Sequence, residues 1–351
     1  MRSFGMVDAD LQDVLKEATT AVAGPVPAKE THIHRMKQEG GTRGQGLKVV
    51  LHPDHDPGLR ESLGLIDEIE LISPASDKGV RHALKVGAPI LVTFEWHDSF
   101  LKEGLRWVHS ISSGVEQFPQ ELLRKQAVVL TSGRGAHTPA VALHGISLLL
   151  ALVRGIGVAL KAGPASTHAR PEASELSGRT LGVLGLGSVG EEVARLGSAL
   201  GMRVIGTKRH PGEYEGVVER VWGPDATSEV CALSDAIVIT LPGGPETAGA
   251  VGRAELEALG RGWLVNVGRG TTVEEDALTK VLQSGQLLGA ALDVTREEPL
   301  PSHSPLWTLP NVILTPHMAW SSDRLGPRAA DVFRQNLNAY LGLGPWITRL
   351  V

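Results

Sequence analysis

An α/β fold built from two successive parallel-sheet series is what this sequence predicts, and three observations carry the prediction. From Leu47 onward, short apolar segments rich in β-branched residues alternate with helix-length segments, the pattern of strands joined by helical crossovers. The alternation runs twice, interrupted by one long apolar segment over 139–160 and a loop-like stretch over 161–179. Aromatics make up only 4% of the chain while glycine and alanine are plentiful, which suits tight strand-to-helix turns.

The first series contains LKVVLH (47–52), IELIS (69–73), PILVTF (89–94), LRWVHSIS (105–112) and AVVLT (127–131) as strands. A helix is expected over PAVALHGISLLLALVRGIGVAL (139–160), with Pro139 suited to its first turn. That segment has the length to span lipid, but His144, Arg154 and the α/β context make it a buried interdomain helix. The second series reads TLGVLG (180–185), RVIGT (203–207), VERVW (218–222), DAIVITL (235–241), WLVNV (263–267), GAALDV (289–294) and NVILT (311–315) as strands. A last helix runs from about Ser322 to Leu341 and is free to return to the first lobe.

Residues 1–46 read differently, as an N-terminal extension. Leu11, Val14, Leu15 and Ala18 make a weak helical stripe, Asp8 or Asp10 is placed to cap it, and GGTRGQG (40–46) reads as a linker. The arm fits a docking segment or a disordered leader equally well, and it carries no visible chemistry.

At 351 residues the chain is expected to form two domains. The net charge of −5 points to neither a nucleic-acid nor a membrane partner. A single cysteine, Cys231, cannot form an internal disulfide, and no secretory leader is visible, so a cytoplasmic location is expected.

The strongest motif is LGVLGLGSVG (181–190). Gly185, Gly187 and Gly190 follow the spacing G-x-G-x-x-G between a strand and a helix, with Ser188 and Val189 between the last two glycines. That context is a dinucleotide-binding turn: a tight bend at Gly185, backbone approach at Gly187, helix-on-strand packing at Gly190, and a helix N-terminus toward the pyrophosphate. The next strand runs into Lys208 and Arg209, about 20 residues on, where an acid would hold the adenosine ribose hydroxyls. A lysine cannot accept from a hydroxyl, whereas lysine and arginine both pair with a 2′-phosphate. The expected cofactor is therefore NADP(H) in preference to NAD(H).

Three later strands end in polar residues: VNVGRG at Arg269, LDVTREEP at Asp293 and Glu298, and TPH at His317. The C-terminal ends of parallel strands face the ligand crevice, so these four side chains are expected to converge there. Pro242, after DAIVITL, and Val267, closing WLVNV, join the expected cofactor-binding set. HPDHDP (52–57) has metal-ligand residue types, but its prolines make it a polar turn, and no metal site is expected.

Together with the glycine turn, these segments resemble the D-isomer-specific 2-hydroxyacid dehydrogenases, a family that includes glyoxylate/hydroxypyruvate reductases and phosphoglycerate dehydrogenases. The resemblance covers most of the chain from Leu47 and is strongest between Leu176 and Trp320. It implies two doubly wound parallel-sheet lobes with the substrate in the cleft between them. The flavodoxin-like substrate domain would take 47–138 and 322–351, and the Rossmann cofactor domain 139–321. It implies Arg269, Glu298 and His317 as catalytic residues and Asp293 near the nicotinamide. His317 is the acid that protonates a 2-oxo acid carbonyl, a buried Glu298 supports it, and Arg269 grips the substrate carboxylate. In ISSGVEQFP (111–119), Ser113, Gly114 and Val115 match the loop whose backbone amides hold that carboxylate. Trp96 and Trp320 read as pocket walls or as packing aromatics. A homodimer through the cofactor lobe is also implied.

Two departures stand out. The family often has glutamate before the histidine of the long helix, where this chain has Leu143, and the second-strand acid is replaced by Lys208. The leading expectation is an NADP(H)-preferring reductase of the glyoxylate/hydroxypyruvate type. The alternatives are an NAD-dependent phosphoglycerate-type dehydrogenase, with no allosterically regulated form carrying an extra C-terminal domain expected, and a nucleotide-sensing binding protein like the corepressors that share this fold.

Overall fold

Twelve strands form two separate all-parallel sheets in the computed structural model, which describes residues 46–53, 57–102, 104–162, 173–212 and 214–351. The expected N-terminal extension and the centre of HPDHDP lie outside the described residues. The first sheet holds β1 (Leu47–Leu51), β2 (Ile69–Ile72), β3 (Ile90–Thr93), β4 (Trp107–Ser110) and β5 (Val129–Ser132) in the order β2-β1-β3-β4-β5. This is the flavodoxin-like order. α1 (Pro57–Leu63), α2 (Asp77–Lys85) and α3 (Gln120–Lys125) are its crossovers.

The second sheet holds β6 (Thr180–Leu184), β7 (Arg203–Thr207), β8 (Arg220–Trp222), β9 (Ala236–Ile239), β10 (Trp263–Asn266), β11 (Gly289–Leu292) and β12 (Val312–Leu314). Its order is β12-β11-β10-β9-β6-β7-β8. The order reverses between β6 and β9, and that reversal opens a crevice at the strands' C-terminal ends. α6 (Ser188–Ala199), α7 (Thr227–Ala232), α8 (Arg253–Leu259) and α9 (Glu275–Gln283) cover it. β9, β10 and β11 are buried at every position, which explains why they read as unbroken apolar runs rather than alternating ones.

The long apolar segment does not form one helix. α4 (Thr138–Val153) and α5 (Ile156–Ala162) are bent by 66° at Arg154 and Gly155. Gly155 has φ +66° and its N–H donates to the Leu152 carbonyl, so it ends the helix as a left-handed glycine. Among the described residues no single helix is long and apolar enough to cross a membrane, although this bent pair passes by length and composition together. The strand expected over 218–222 is likewise shorter, beginning at Arg220.

α10 (Leu325–Tyr340) packs on the first sheet. Phe333 stacks on Trp107 with ring centroids 5.0 Å apart, and Leu325, Ala329, Val332 and Leu337 complete that core with Val49, Leu51 and Ile90. The chain then returns to β5, where Thr131 and Arg349 form an antiparallel bridge and Leu350 N donates to the Leu130 carbonyl.

Candidate active site

β6 is followed by Gly185, whose φ of +102° suits glycine and allows the turn into α6. Gly190 lies against the Gly185 carbonyl so closely that a Cβ there would collide with it, and Thr240 Oγ1 donates to the same carbonyl at 2.7 Å. Gly187, the cap of α6, differs: a Cβ built on it would meet nothing within 4 Å. Ser188 is exposed and Val189 half-buried. Open space before a helix whose first-turn amides lack intrahelical partners fits a pyrophosphate. Pro242 is exposed just past β9, whereas Val267 is buried in the core and sits behind Gly145 of α4.

At the end of β7, Lys208 and Arg209 each meet a carboxylate. Lys208 Nζ donates to Glu191 Oε1 at 3.1 Å, and Arg209 Nη2 donates to Glu246 Oε2 at 2.8 Å.

On the loops that follow the neighbouring strands β11 and β12, Glu298 and His317 come together, with His317 Nδ1 2.7 Å from Glu298 Oε2. The other glutamate oxygen accepts from Thr295 N at 3.1 Å. His317 Nε2 has no partner among the described residues. The expectation of a buried glutamate is corrected: the His317 and Glu298 side chains are 45% and 38% exposed. Both lie on loops that leave the C-terminal ends of the strands, so solvent screens their pairing.

Asp293 is buried at the end of β11 and its carboxylate is already occupied. It accepts from Thr315 Oγ1 at 2.6 Å, Met318 N at 3.0 Å and Ala319 N at 3.0 Å, with His144 Nε2 at 3.4 Å. Burial pushes its pKa up, but His144, Thr315 and the two amides outweigh burial and hold it down at about 2. The side chain thus grips the 315–319 segment. His317 N also donates to the Asp293 carbonyl at 2.8 Å, and His317 itself has φ +50°.

Arg269 is held by a residue that sequence reasoning passed over. Asn266, 1% exposed at the end of β10, donates from Nδ2 to the Arg269 carbonyl at 3.1 Å and accepts from Gly268 N at 3.0 Å. Its signal was visible as one amide inside an otherwise apolar strand, since a buried amide needs partners. The Arg269 side chain reaches the first lobe: a Cβ on Gly114 would lie 2.6 Å from Arg269 Nη2, and Glu116 Oε1 is 4.0 Å from the same nitrogen. Gly270 abuts the Thr295 carbonyl, joining this turn to the segment that carries Glu298.

The N–H groups of Ser113, Gly114 and Val115 donate to nothing among the described residues, while Ser112 Oγ, which donates to the Gly114 carbonyl, shapes the loop. Three consecutive amides without partners thus lie in the loop that Arg269 approaches at Gly114. His137 Nε2, 2.9 Å from the Ile111 carbonyl, ties down the approach to that loop. Trp320 is exposed and donates Nε1 to the His317 carbonyl at 2.9 Å, whereas Trp96 packs on Phe100 and Phe118. Among the described residues no group of three or more His, Cys, Asp or Glu side chains is arranged to hold a metal ion.

A family model of the D-isomer specific 2-hydroxyacid dehydrogenase NAD-binding domain matches residues 146–319. Glyoxylate/hydroxypyruvate reductase B of Serratia proteamaculans is 32% identical over 306 residues, taking in 84% of this chain and 94% of that protein. The chain belongs to the D-isomer-specific 2-hydroxyacid dehydrogenase family. It is thus an NAD(P)-dependent D-2-hydroxyacid dehydrogenase. This dehydrogenase is also 32% identical over 301 residues to D-3-phosphoglycerate dehydrogenase of Methanocaldococcus jannaschii, but spans only 57% of that relative's length. Among solved structures, the NADPH-dependent glyoxylate/hydroxypyruvate reductase of Sinorhizobium meliloti superposes on it with a TM-score of 0.73 at 27% identity. That superposition covers 87% of this dehydrogenase and 97% of the other chain.

Proposed function

We propose that this dehydrogenase reduces small 2-oxo acids of the glyoxylate/hydroxypyruvate type to D-2-hydroxy acids and prefers NADP(H). The observation that carries the proposal is the 2.7 Å contact between His317 Nδ1 and Glu298 Oε2, which leaves Nε2 available to a substrate oxygen. Glu298 orients the ring. His317 gives its proton to the carbonyl oxygen in reduction and takes it back in oxidation. Arg269 and the amides of Ser113, Gly114 and Val115 grip the carboxylate, and Arg269 also polarises the carbonyl. When bound, the nicotinamide cofactor supplies the hydride for the carbonyl carbon.

Gly185, Gly187, Ser188, Val189 and Gly190 hold the pyrophosphate in this reading, Asp293 lies near the nicotinamide, and Pro242 and Val267, the latter from the core, complete the cofactor-binding set. Lys208 and Arg209 take the 2′-phosphate. Hydrogen bonds to charged groups contribute about 1.5–3 kcal/mol each, enough to separate the two cofactors. The Sinorhizobium meliloti reductase that this chain resembles is described as NADPH-dependent, which supports the same preference.

The test is steady-state kinetics on glyoxylate, hydroxypyruvate, pyruvate, phenylpyruvate and phosphohydroxypyruvate, each with NADH and NADPH. The highest kcat/KM is expected for glyoxylate or hydroxypyruvate with NADPH. A clear optimum on phosphohydroxypyruvate would overturn the substrate assignment, and a preference for NADH would overturn the cofactor assignment.

The protein is further proposed to be a homodimer. Leu143 and Leu150 on α4, with Ile156, Val158 and Leu160 on α5, leave an exposed apolar surface on the cofactor lobe that a second copy would cover.

A further inference from the structure

Lys208 sits in a three-membered cluster. Glu191, in the first turn of α6, accepts from Lys208 Nζ through one carboxylate oxygen and from the Tyr214 hydroxyl through the other. The Lys208 ammonium lies 5.6 Å from the centroid of the Tyr214 ring, a cation–π distance. Burial, and then the Glu191 carboxylate, push the Tyr214 pKa up to about 12, so its hydroxyl keeps its proton and remains a donor at neutral pH. Arg209 pairs separately with Glu246. Each of the two cations that follow β7 is therefore already paired with a carboxylate.

The two pairs are not equivalent. Arg209 and Glu246 are 63% and 77% exposed, so their pairing is screened and contributes little. Lys208 and Glu191 are 38% and 36% exposed, and Tyr214 fixes the carboxylate in place. Glu191 is also fixed in the first turn of α6, the helix that follows the glycine turn, so its position does not depend on Lys208.

We propose that Glu191, oriented by Tyr214, is a specificity-determining residue that competes with the cofactor's 2′-phosphate for Lys208 and so limits the preference for NADP(H). The proposal rests on the reading of Lys208 as a partner of that phosphate. To bind, the phosphate must draw the ammonium away from a carboxylate and then tolerate that carboxylate as a neighbour. An unphosphorylated ribose asks for neither. A glutamine at 191 keeps an acceptor for Tyr214 but removes the competing charge.

The test is calorimetric titration of the full chain with NADP+ and with NAD+, comparing the wild type with Glu191→Gln, Glu191→Ala, Glu246→Gln and Lys208→Met. Both Glu191 variants are expected to bind NADP+ about fivefold more tightly, the size of a partly exposed ion pair. Their NAD+ affinity is expected to change by less than about twofold, and Glu246→Gln by less than that for either nucleotide. Unchanged or weaker NADP+ binding in both Glu191 variants, with Lys208→Met still weakening NADP+, overturns the role of Glu191 and leaves the cofactor reading intact. If Lys208→Met leaves NADP+ binding unaltered, the cofactor reading fails and the role of Glu191 falls with it.

Discussion

His317 is restrained at two levels that act on different atoms. Its ring is set by Glu298 through Nδ1, and its backbone, at φ +50°, by the hydrogen bond that its N–H donates to the Asp293 carbonyl. A non-glycine residue in that region is unfavourable by about 1 kcal/mol or more, so the surrounding bonds must impose it. His317→Ala is expected to lower kcat by about 10²–10⁴ with nucleotide affinity retained, the usual range for a lost general acid. Glu298→Gln keeps the imidazole and breaks a half-exposed pair, so a smaller loss, about tenfold, is expected. Steady-state kinetics with nucleotide titration check both. The residue types at these strand ends were legible because they carry chemistry at fixed spacing. The partners of Lys208 and Arg209 were not, because Glu191 and Glu246 lie 17 and 37 residues away along the chain and only the fold brings them back.

At the scale of elements, β10, β11 and β12 each end in a segment stitched to its neighbour. Asn266 holds the Arg269 turn, and Asp293 holds the 315–319 segment through three donors besides His144. Asp293→Asn replaces one acceptor oxygen by an amide group that faces a donor. A loss of about 2 kcal/mol is expected from the orphaned groups, with a fall in kcat as the His317 segment loosens. Urea denaturation and kinetics on the same variant measure both effects. Strand positions were readable from apolar runs, and the glycine turn from its spacing. The break between α4 and α5 was missed because apolar residues continue through it. Gly155 alone marks the end, and one glycine inside an apolar helix is an ambiguous signal until its φ is known.

At the scale of the whole molecule, stability at low pH depends on two buried groups in different lobes. His109, on β4, is enclosed by Trp107, Phe333 and Thr131, and burial pushes its pKa down from 6.5 to about 3. The unfolded chain binds this proton at a higher pH than the folded one. Its contribution is therefore complete above pH 6.5 and shrinks as pH falls toward the folded value. Asp293 acts lower down: with a folded pKa near 2 against an ordinary 3.8, its contribution is complete above about pH 4 and lost below it. Unfolding free energy is expected to fall by about 3 kcal/mol between pH 6.5 and pH 4, and His109→Asn to flatten that slope. Denaturant titrations across the range check this. Light scattering is expected to give twice the chain mass in solution, and Leu143→Glu with Leu150→Glu to shift it to monomer. The two parallel sheets followed from the twice-repeated alternation, but the closeness of Arg269 to Gly114 did not, since it joins lobes that share no local sequence signal.

Arg269, Glu298 and His317 with the glycine turn are proposed to make one reductase site, and NADPH oxidation with glyoxylate or hydroxypyruvate tests that proposal. The wild type is predicted to turn over, while Arg269→Ala and His317→Ala bind NADP+ normally and lose about 10²-fold or more in kcat. Near-normal kcat in both variants, or no turnover by a wild type that binds nucleotide tightly, would contradict the account.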